Sequence, residues 1–378
     1  MNNINIIPRQ IFELSHLFDL YNFDLYLVGG SIRDCILGKI PDDFDFTTRA
    51  KTKDILDILK DYKTFRSGEK YGTIGVLFRG IKCEITTFRL DGIYIDNRHP
   101  NKVVFHNDLY TDLKRRDFTI NAIAYDLKNK ILIDKFDCIK DIDSKIIKCI
   151  GDGNERFKED SLRILRALSF CSKLDFDISN DTLQAIINSK ELLKNIKIER
   201  IRAEITKIFS GKNPKKAFDL MKKYNILNTK HIPANINNIN AKYRIYASFL
   251  IFDSLIYLHP KISIKTLEIK SIFIKIIQKK HIKEVRFILA NLLLNHKIED
   301  IYIALHLKIA LNKKYRIYKR VFNHIGKITH IDGHKLLNLG FDKMQIKQIK
   351  QELLIQAITN KIKDKNILFK IAMKLNLS

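Results

Sequence analysis

The chain has 378 residues, with 68 Lys and Arg against 42 Asp and Glu, a formal net charge of +26. This length predicts two or three domains, and 46% hydrophobic residues suit real cores and exclude a disordered polymer. No apolar run reaches the roughly 18 residues of a membrane span, because the most apolar stretch, around Ala247–Leu258, is broken by Asp253, and Met1–Gln10 lacks the basic-then-apolar pattern of a secretory signal.

The first third reads as mixed α/β. Leu25–Val28 is a short apolar run that enters a tight turn at Gly29-Gly30, and a helix over Ser31–Leu37 stops at Gly38. Phe44–Phe46 is a strand, and Lys51–Lys63 has helical spacing through Ile55, Ile58 and Leu59. Thr73–Phe78 and Ile81–Thr87 flank Arg79-Gly80 and predict a β-hairpin. Lys102–Phe105 is a further strand, and Leu113–Tyr125 reads as helical. After Gly151 helical periodicity dominates, through Glu159–Phe170, Asp181–Leu193 and Ile198–Phe209, and the remainder reads as all-helical with loops near Gly211–Pro214, Ile232–Asn240 and Asp332-Gly333. The expected fold class is α+β, a mixed-sheet head followed by an elongated all-helical remainder.

Charge is unevenly spread. Basic and acidic residues number 24 and 22 over residues 1–150, 9 and 9 over 151–200, and 35 and 11 over 201–378. A basic half beside a neutral one suggests a polyanion-holding module attached to something else. The plainer reading is a Lys- and Ile-rich composition that decorates solvated helix faces. The five cysteines, Cys35, Cys83, Cys138, Cys149 and Cys171, are odd in number and form no C-x-x-C pair, so they read as free thiols in a reducing compartment, and the expected location is cytoplasmic.

The chemistry concentrates first at Leu27-Val28-Gly29-Gly30-Ser31-Ile32-Arg33-Asp34, followed by Asp43-Phe44-Asp45. Paired glycines let the backbone approach a phosphate without a Cβ in the way, and the next helix aims its first N–H groups at an anion that Arg33 could also reach. Asp43 and Asp45, two apart on a strand, share a face, and two close carboxylates call for a hard divalent cation between them. Taken singly, Gly-Gly is usually a turn and Asp-x-Asp a polar strand end; the ordered strand, Gly-Gly, helix, strand and Asp-x-Asp combination is far more specific.

That combination resembles the polymerase-β-type nucleotidyltransferase head, and more narrowly the class II tRNA nucleotidyltransferases (CCA-adding enzymes) and the related bacterial poly(A) polymerases. Three further motifs support the resemblance: Asp112-Leu113-Lys114-Arg115-Arg116-Asp117-Phe118-Thr119-Ile120-Asn121-Ala122, Glu155-Arg156-Phe157-Lys158-Glu159-Asp160-Ser161-Leu162-Arg163-Ile164-Leu165-Arg166-Ala167, and Glu199–Phe209. The resemblance implies a catalytic head over 1–150, a helical neck with the base-recognition helix over 151–225, and a tRNA-binding body and tail over 226–378.

It also implies roles for particular residues. Asp43 and Asp45 would be the catalytic metal ligands for two Mg²⁺ ions, one activating the RNA 3′-OH and the other holding the triphosphate, with Glu84 a possible third acid or an outward-facing strand residue. Gly29, Gly30, Ser31 and Arg33 would grip phosphates, Arg116 would touch phosphate or sugar, Asp117 would lie near the ribose, and Arg166 would join the nucleotide site. Asp160 and Arg163, at i and i+3 on one helix face, would read the base; otherwise they are an exposed ion pair. Cytosine and adenine each present an amine beside a ring-nitrogen acceptor, which a carboxylate and a guanidinium match, whereas uracil and guanine would clash with the pair. Glu199–Phe209 would buttress that helix.

The implied reaction is template-independent addition of C, C and A to the tRNA 3′ end from CTP and ATP, with release of pyrophosphate. The implied partner is the tRNA acceptor arm, with no membrane and no obligatory protein partner. Phe88–Phe105 keeps what reads as a full-length flexible loop, which argues against CC-only addition. A-only addition and poly(A) synthesis stay open, and a non-catalytic RNA-binding protein on the same scaffold is a remote third reading. None of the eleven histidines precedes an Asp, so no His-Asp phosphohydrolase activity is expected, and His281 and His306 read as surface or half-buried helix residues. Two departures stand out. Lys135–Cys138 replaces a Pro-Phe-Gly-Gly-like turn, and Ser169 stands where many relatives carry another arginine near the triphosphate, which predicts weaker triphosphate neutralisation by Arg33, Arg116 and Arg166. Gly333–Leu337 weakly resembles a motif in the tail of some members.

Overall fold

A computed structural model describes residues 6–91, 103–229, 232–252, 258–277, 288–289, 292, 296–311, 332–342, 345–360, 362 and 364–376. The chain forms two compact units, Met1–Glu204 and Ile205–Ser378.

The first unit is built on a mixed sheet. Its elements begin α1 (Arg9–Asp19), β1 (Tyr26–Val28), α2 (Gly29–Ile36), β2 (Phe44–Thr48), α3 (Thr52–Ile58) and β3 (Thr64–Phe65). They continue β4 (Thr73–Phe78), β5 (Ile81–Thr87), β6 (Arg89–Asp91), β7 (Val103–Phe105), α4 (Leu109–Lys114), β8 (Ile123–Asp126), β9 (Ile131–Asp134) and α5 (Cys138–Asp143). Seven strands pair in the order β3-β4-β5-β2-β1-β8-β9, antiparallel except for β2 beside β5. β6 and β7 form a separate hairpin. The β4–β5 hairpin closes on two residues, Arg79 (φ 46°) and Gly80 (φ 85°), the positive pair that matches strand twist.

The period-two alternation decides which face each side chain takes. Phe44 and Phe46 on β2, with Cys83 and Ile85 on β5, pack with Ile11, Leu14 and Phe18 of α1 and with Ile55 and Ile58 of α3. Asp45 and Glu84, between them in sequence, are therefore carried on the other face, and the parallel register sets them directly opposite each other. All five cysteines are buried and unbridged.

After α5 come β10 (Ile146–Ile147), α6 (Gly153–Glu159), α7 (Leu162–Leu174), β11 (Asp177–Ile178), α8 (Asn180–Ser189) and α9 (Ile198–Ser210), the last crossing the boundary between units. The second unit is mostly helical: α10 (Pro214–Lys223), α11 (Ala241–Arg244), α12 (Pro260–Ile277), α13 (Ile298–Leu311), α14 (Gly333–Asn338), α15 (Gln345–Asn360) and α16 (Lys365–Asn376). Pro214 opens α10, where its missing N–H costs nothing, and Asn213 caps it by accepting from Lys216 N at 3.3 Å. Phe209, Phe218 and Phe252 form an aromatic cluster with centroids 4.9–6.4 Å apart. Arg244 is buried beside them, its guanidinium held by the carbonyls of Phe209, Gly211, Asn237 and Ile239.

Four expectations are corrected. Leu113–Tyr125 is not one helix: α4 ends at Lys114, Thr119–Asn121 is a 3-10 turn, and Ile123–Asp126 is the strand β8, buried on both sides between β1 and β9. An apolar run buried on both faces has no period to separate helix from strand. Its partner β9 carried no expectation.

Glu159–Phe170 is not continuous either. Asp160 ends α6 in extended backbone (φ −139°, ψ 100°), and its carboxylate accepts from Leu162 N, the first residue of α7, at 3.1 Å. Asp160 and Arg163 therefore do not share the face of one helix. Nor is the chain all-helical after residue 151, because β11 pairs in parallel with β10. His306, on α13, is half-buried as expected and accepts from Asn240 N at 3.1 Å. His281 and most of the Phe88–Phe105 loop lie outside the described residues.

Candidate active site

One cavity of about 820 Å³ in the first unit brings together the N-terminus of α2, the start of β2 with the residues before it, the acid-bearing middle of β5, the α4–β8 connection and one side of α7. Every site residue singled out from the sequence lines it: Gly29, Gly30, Ser31, Arg33, Asp43, Asp45, Glu84, Arg116, Asp117, Asp160, Arg163 and Arg166.

At the first glycine, backbone and space both disfavour a side chain. Gly29 has φ +69°, and a Cβ there would stand 2.8 Å from Arg116 Nη1. Ser31 is buried, and its hydroxyl accepts from Asp45 N at 2.7 Å and lies 3.2 Å from Asp43 O. The serine thus ties the start of α2 to the acidic strand. Arg33, only 2% exposed, gives Nε and Nη2 to Asp34 Oδ1 (2.8 and 2.6 Å) and Nη1 to Asn121 Oδ1 (2.6 Å).

The acidic side is electrostatically strained. Burial, then the charge of Asp43, push the Asp45 carboxyl up to about 6; Arg116 opposes them, and Glu84 adds to the rise. Among the described residues no three His, Cys, Asp or Glu side chains form a metal cluster by themselves. A Mg²⁺ ion does not require one, since it is held by one or two carboxylates completed by water and substrate phosphates. Asp43 and Asp45 fit that donor set, and a cation there would relieve the repulsion that raises Asp45.

Opposite the acids, a buried carboxylate organises the arginines. Asp112, fully buried, accepts from Arg115 Nε and Nη2 (2.9 and 2.8 Å), from Thr47 Oγ1 (3.2 Å) and from Arg116 Nη2 (3.4 Å). Burial raises its pKa, but Arg115 and Arg116 outweigh that and hold it below the usual range. Arg116 Nε is buried with no hydrogen-bond partner. Asp117 Oδ2 receives Arg166 Nε and Nη2 at 2.7 and 2.6 Å, and Asn121 Nδ2 reaches Asp117 Oδ1 at 3.1 Å. Burial raises Asp117 too, and Arg166 with Asn121 brings it below normal. Phe170 lies between two guanidiniums, those of Arg33 and Arg166, each 5.4 Å from its ring centroid.

Asp160 and Arg163 both line the cavity but are held by other partners. Arg200 Nη2 lies 3.1 Å from Asp160 Oδ2, and Arg163 Nη1 lies 2.7 Å from Glu159 Oε2. Arg163 Nη2 also reaches Arg115 O at 3.3 Å. Arg200, in the motif expected to buttress the base-recognition helix, is thus in contact with Asp160. Asp112, Asn121, Glu159, Phe170 and Lys173 carried no expectation. Asp112 and Glu159 were legible as acids spaced three or four residues from arginines, whereas Asn121 and Phe170 gave no such signal. Ser169 does not line the cavity; it is buried, and its hydroxyl donates to Arg166 O at 3.1 Å. Asp134 accepts from Phe136, Cys138 and Ile139 N–H groups and shapes the turn at Lys135–Cys138.

A mixed sheet with paired acids facing an arginine-lined cavity is the arrangement that the resemblance to a nucleotidyltransferase head leads one to expect. Residues 25–148 match the family described as the poly A polymerase head domain, and residues 175–231 match one described as the probable RNA and SrmB-binding site of polymerase A. A CCA-adding enzyme of Staphylococcus aureus (strain MRSA252) is 42% identical over 221 residues, 57% of this chain and 54% of that protein. Residues 25–148 and 175–231 are thus similar to parts of poly(A) polymerases, and the chain spans about half the length of that CCA-adding relative. The Bacillus stearothermophilus CCA-adding enzyme in complex with CTP shares its fold, with a TM-score of 0.70, 24% identity and 97% of each chain covered. So does the Thermotoga maritima CCA-adding enzyme complexed with tRNA, with a TM-score of 0.64, 18% identity and coverage of 100% and 99%.

Proposed function

We propose that this protein adds C, C and A to the 3′ end of tRNA from CTP and ATP without a nucleic-acid template, in the cytoplasm. One observation carries the reading: the acid pair, the base-matching pair and the arginines between them line a single cavity. The CCA-adding activity of the S. aureus relative, and the fold shared with CCA-adding enzymes in complex with CTP and with tRNA, support it.

In this reading Asp43 and Asp45 hold Mg²⁺, which supplies Lewis-acid activation of the RNA 3′-OH and charge neutralisation on the triphosphate. The residues of the chain position and neutralise, since phosphoryl transfer leaves little covalent chemistry for a protein. Gly29 and Gly30 admit the phosphates against the start of α2, and Arg33, Arg116 and Arg166 neutralise them from fixed positions. Asp117 orients Arg166 beside the ribose. Asp160 accepts the exocyclic amine of cytosine or adenine, and Arg163 donates to the ring nitrogen. Arg200 and Glu159 keep that pair extended when no base is bound, so it meets the nucleotide preorganised. Residues 1–150 act as the catalytic head, 151–225 as the neck, and 226–378 as the body and tail that carry tRNA, chiefly through its backbone.

The test is product length. The protein is incubated with tRNA lacking CCA, tRNA ending in C or CC, and an unrelated RNA, with CTP and ATP supplied separately and together. Additions that stop once CCA is complete, on tRNA alone, are expected. Long A tails on any RNA would assign poly(A) synthesis instead, and addition confined to tRNA ending in CC would assign A-only activity.

A further inference from the structure

The cavity-lining residues of α7 are Arg163, Arg166, Phe170 and Lys173, spaced three, four and three apart on one stripe of the helix. At about 1.5 Å per residue, roughly 15 Å of helix separates the first from the last. Arg163 stands at the base-matching end. Lys173 stands at the other end, where its Nζ is 3.7 Å from Asp34 Oδ2, and Asp34 also takes Arg33 through Oδ1.

Lys173 differs from the lining arginines. Its side chain is 59% exposed, against 34% for Arg166 and 2% for Arg33. Those arginines are fixed by carboxylates at 2.6 Å, whereas Lys173 has one long ion pair to an acid already engaged by Arg33. One carboxylate serving two cations leaves surplus positive charge at this corner, carried on a flexible four-carbon stem. Ser169, one turn earlier, supplies none, because its hydroxyl is spent on Arg166 O.

We infer that Lys173 is a triphosphate-binding residue, which leaves Asp34 for the polyphosphate tail of the incoming nucleotide and supplies the mobile positive charge that the pinned arginines do not. The inference rests on the nucleotidyl-transfer reading and deepens it, making α7 a ruler with base recognition at one end and phosphate capture at the other.

Equilibrium binding of CTP, ATP and CMP to the full chain, without RNA, tests it in the wild type, Lys173→Gln and Lys173→Arg. Lys173→Gln should weaken CTP and ATP alike by about tenfold, the low end for a hydrogen bond between charged groups, and leave CMP unchanged. Lys173→Arg should stay within about twofold of wild type, because it keeps the charge and the reach. In turnover, KM for both nucleotides should rise while kcat at saturation and the preference for C and A hold. Wild-type CTP affinity in Lys173→Gln, or a loss of tRNA affinity in place of nucleotide affinity, would overturn the inference. A wild-type protein that binds neither CTP nor ATP would overturn the underlying reading instead.

Discussion

Basic and acidic residues number 34 and 32 in the unit Met1–Glu204, but 34 and 10 in Ile205–Ser378. Among the described residues, five arginines at or near the cavity and the buried Arg244 of the second unit are held by different partners. In the first unit, Arg33, Arg115, Arg163, Arg166 and Arg200 each meet a carboxylate at 3.2 Å or closer. In the second, the buried Arg244 is held by backbone carbonyls. Pairing costs the first unit net charge and gives it fixed geometry, which suits a site that must place one nucleotide. The second unit keeps its surplus, which suits a long polyanion held by its backbone more than by its sequence.

The sharpest way to break this division of labour is at the acids. Asp43→Asn or Asp45→Asn should each lower nucleotide addition by more than about a thousandfold, the scale of losing a catalytic metal ligand, while tRNA affinity in a filter-binding assay holds. Substantial activity in either variant would remove the metal assignment. Salt separates the units next. If the surplus charge of the second unit contacts six or more phosphates, raising salt from about 50 to 200 mM should weaken tRNA binding roughly a thousandfold and nucleotide binding far less. Equal salt slopes would mean that the surplus only decorates helix faces.

The site was more legible in the sequence than the fold around it. Gly29, Asp43 and Asp45 could be picked out from their ordered spacing, Arg116 and Asp160 only from the resemblance of their motifs, and the cavity gathers all five. The strand β8 was not, because Ile123–Asp126 is buried on both sides and loses the alternation by which a half-buried strand declares itself. The break at Asp160 was hidden for a related reason. Helical spacing continues on both sides of it, and only the extended backbone of Asp160, with its carboxylate bond to Leu162 N, shows that one helix has stopped and another begun. Partners distant in sequence, such as Arg200 for Asp160 or Asn121 for Arg33, leave no local pattern at all.

Arg244 tests the second unit without touching the first. Replacing it by Met leaves the carbonyls of Phe209, Gly211, Asn237 and Ile239 without their buried donor. Arg244→Met should destabilise that unit by about 3 kcal/mol in urea unfolding, while CTP binding to the folded protein stays at the wild-type value. Unchanged stability would show that the carbonyls find water or other donors.

The smallest effect expected is also the most specific. Arg200 does not line the cavity but meets Asp160, which does, and the extended backbone of Asp160 places its carboxylate between Leu162 N and Arg200 Nη2. Arg200→Met leaves Asp43, Asp45, Arg163 and the phosphate-gripping residues in place but frees the Asp160 carboxylate to rotate. Selection for C and A over U should then fall by roughly tenfold, the value of one well-placed hydrogen bond between charged and polar partners, with kcat for CTP reduced less. Arg200→Lys should recover part of the selection, since it restores the charge without the planar fork. A misincorporation assay with UTP reads this directly. A variant that lost activity evenly for all four nucleotides would show instead that Arg200 supports the helix as a whole and not the reading of the base.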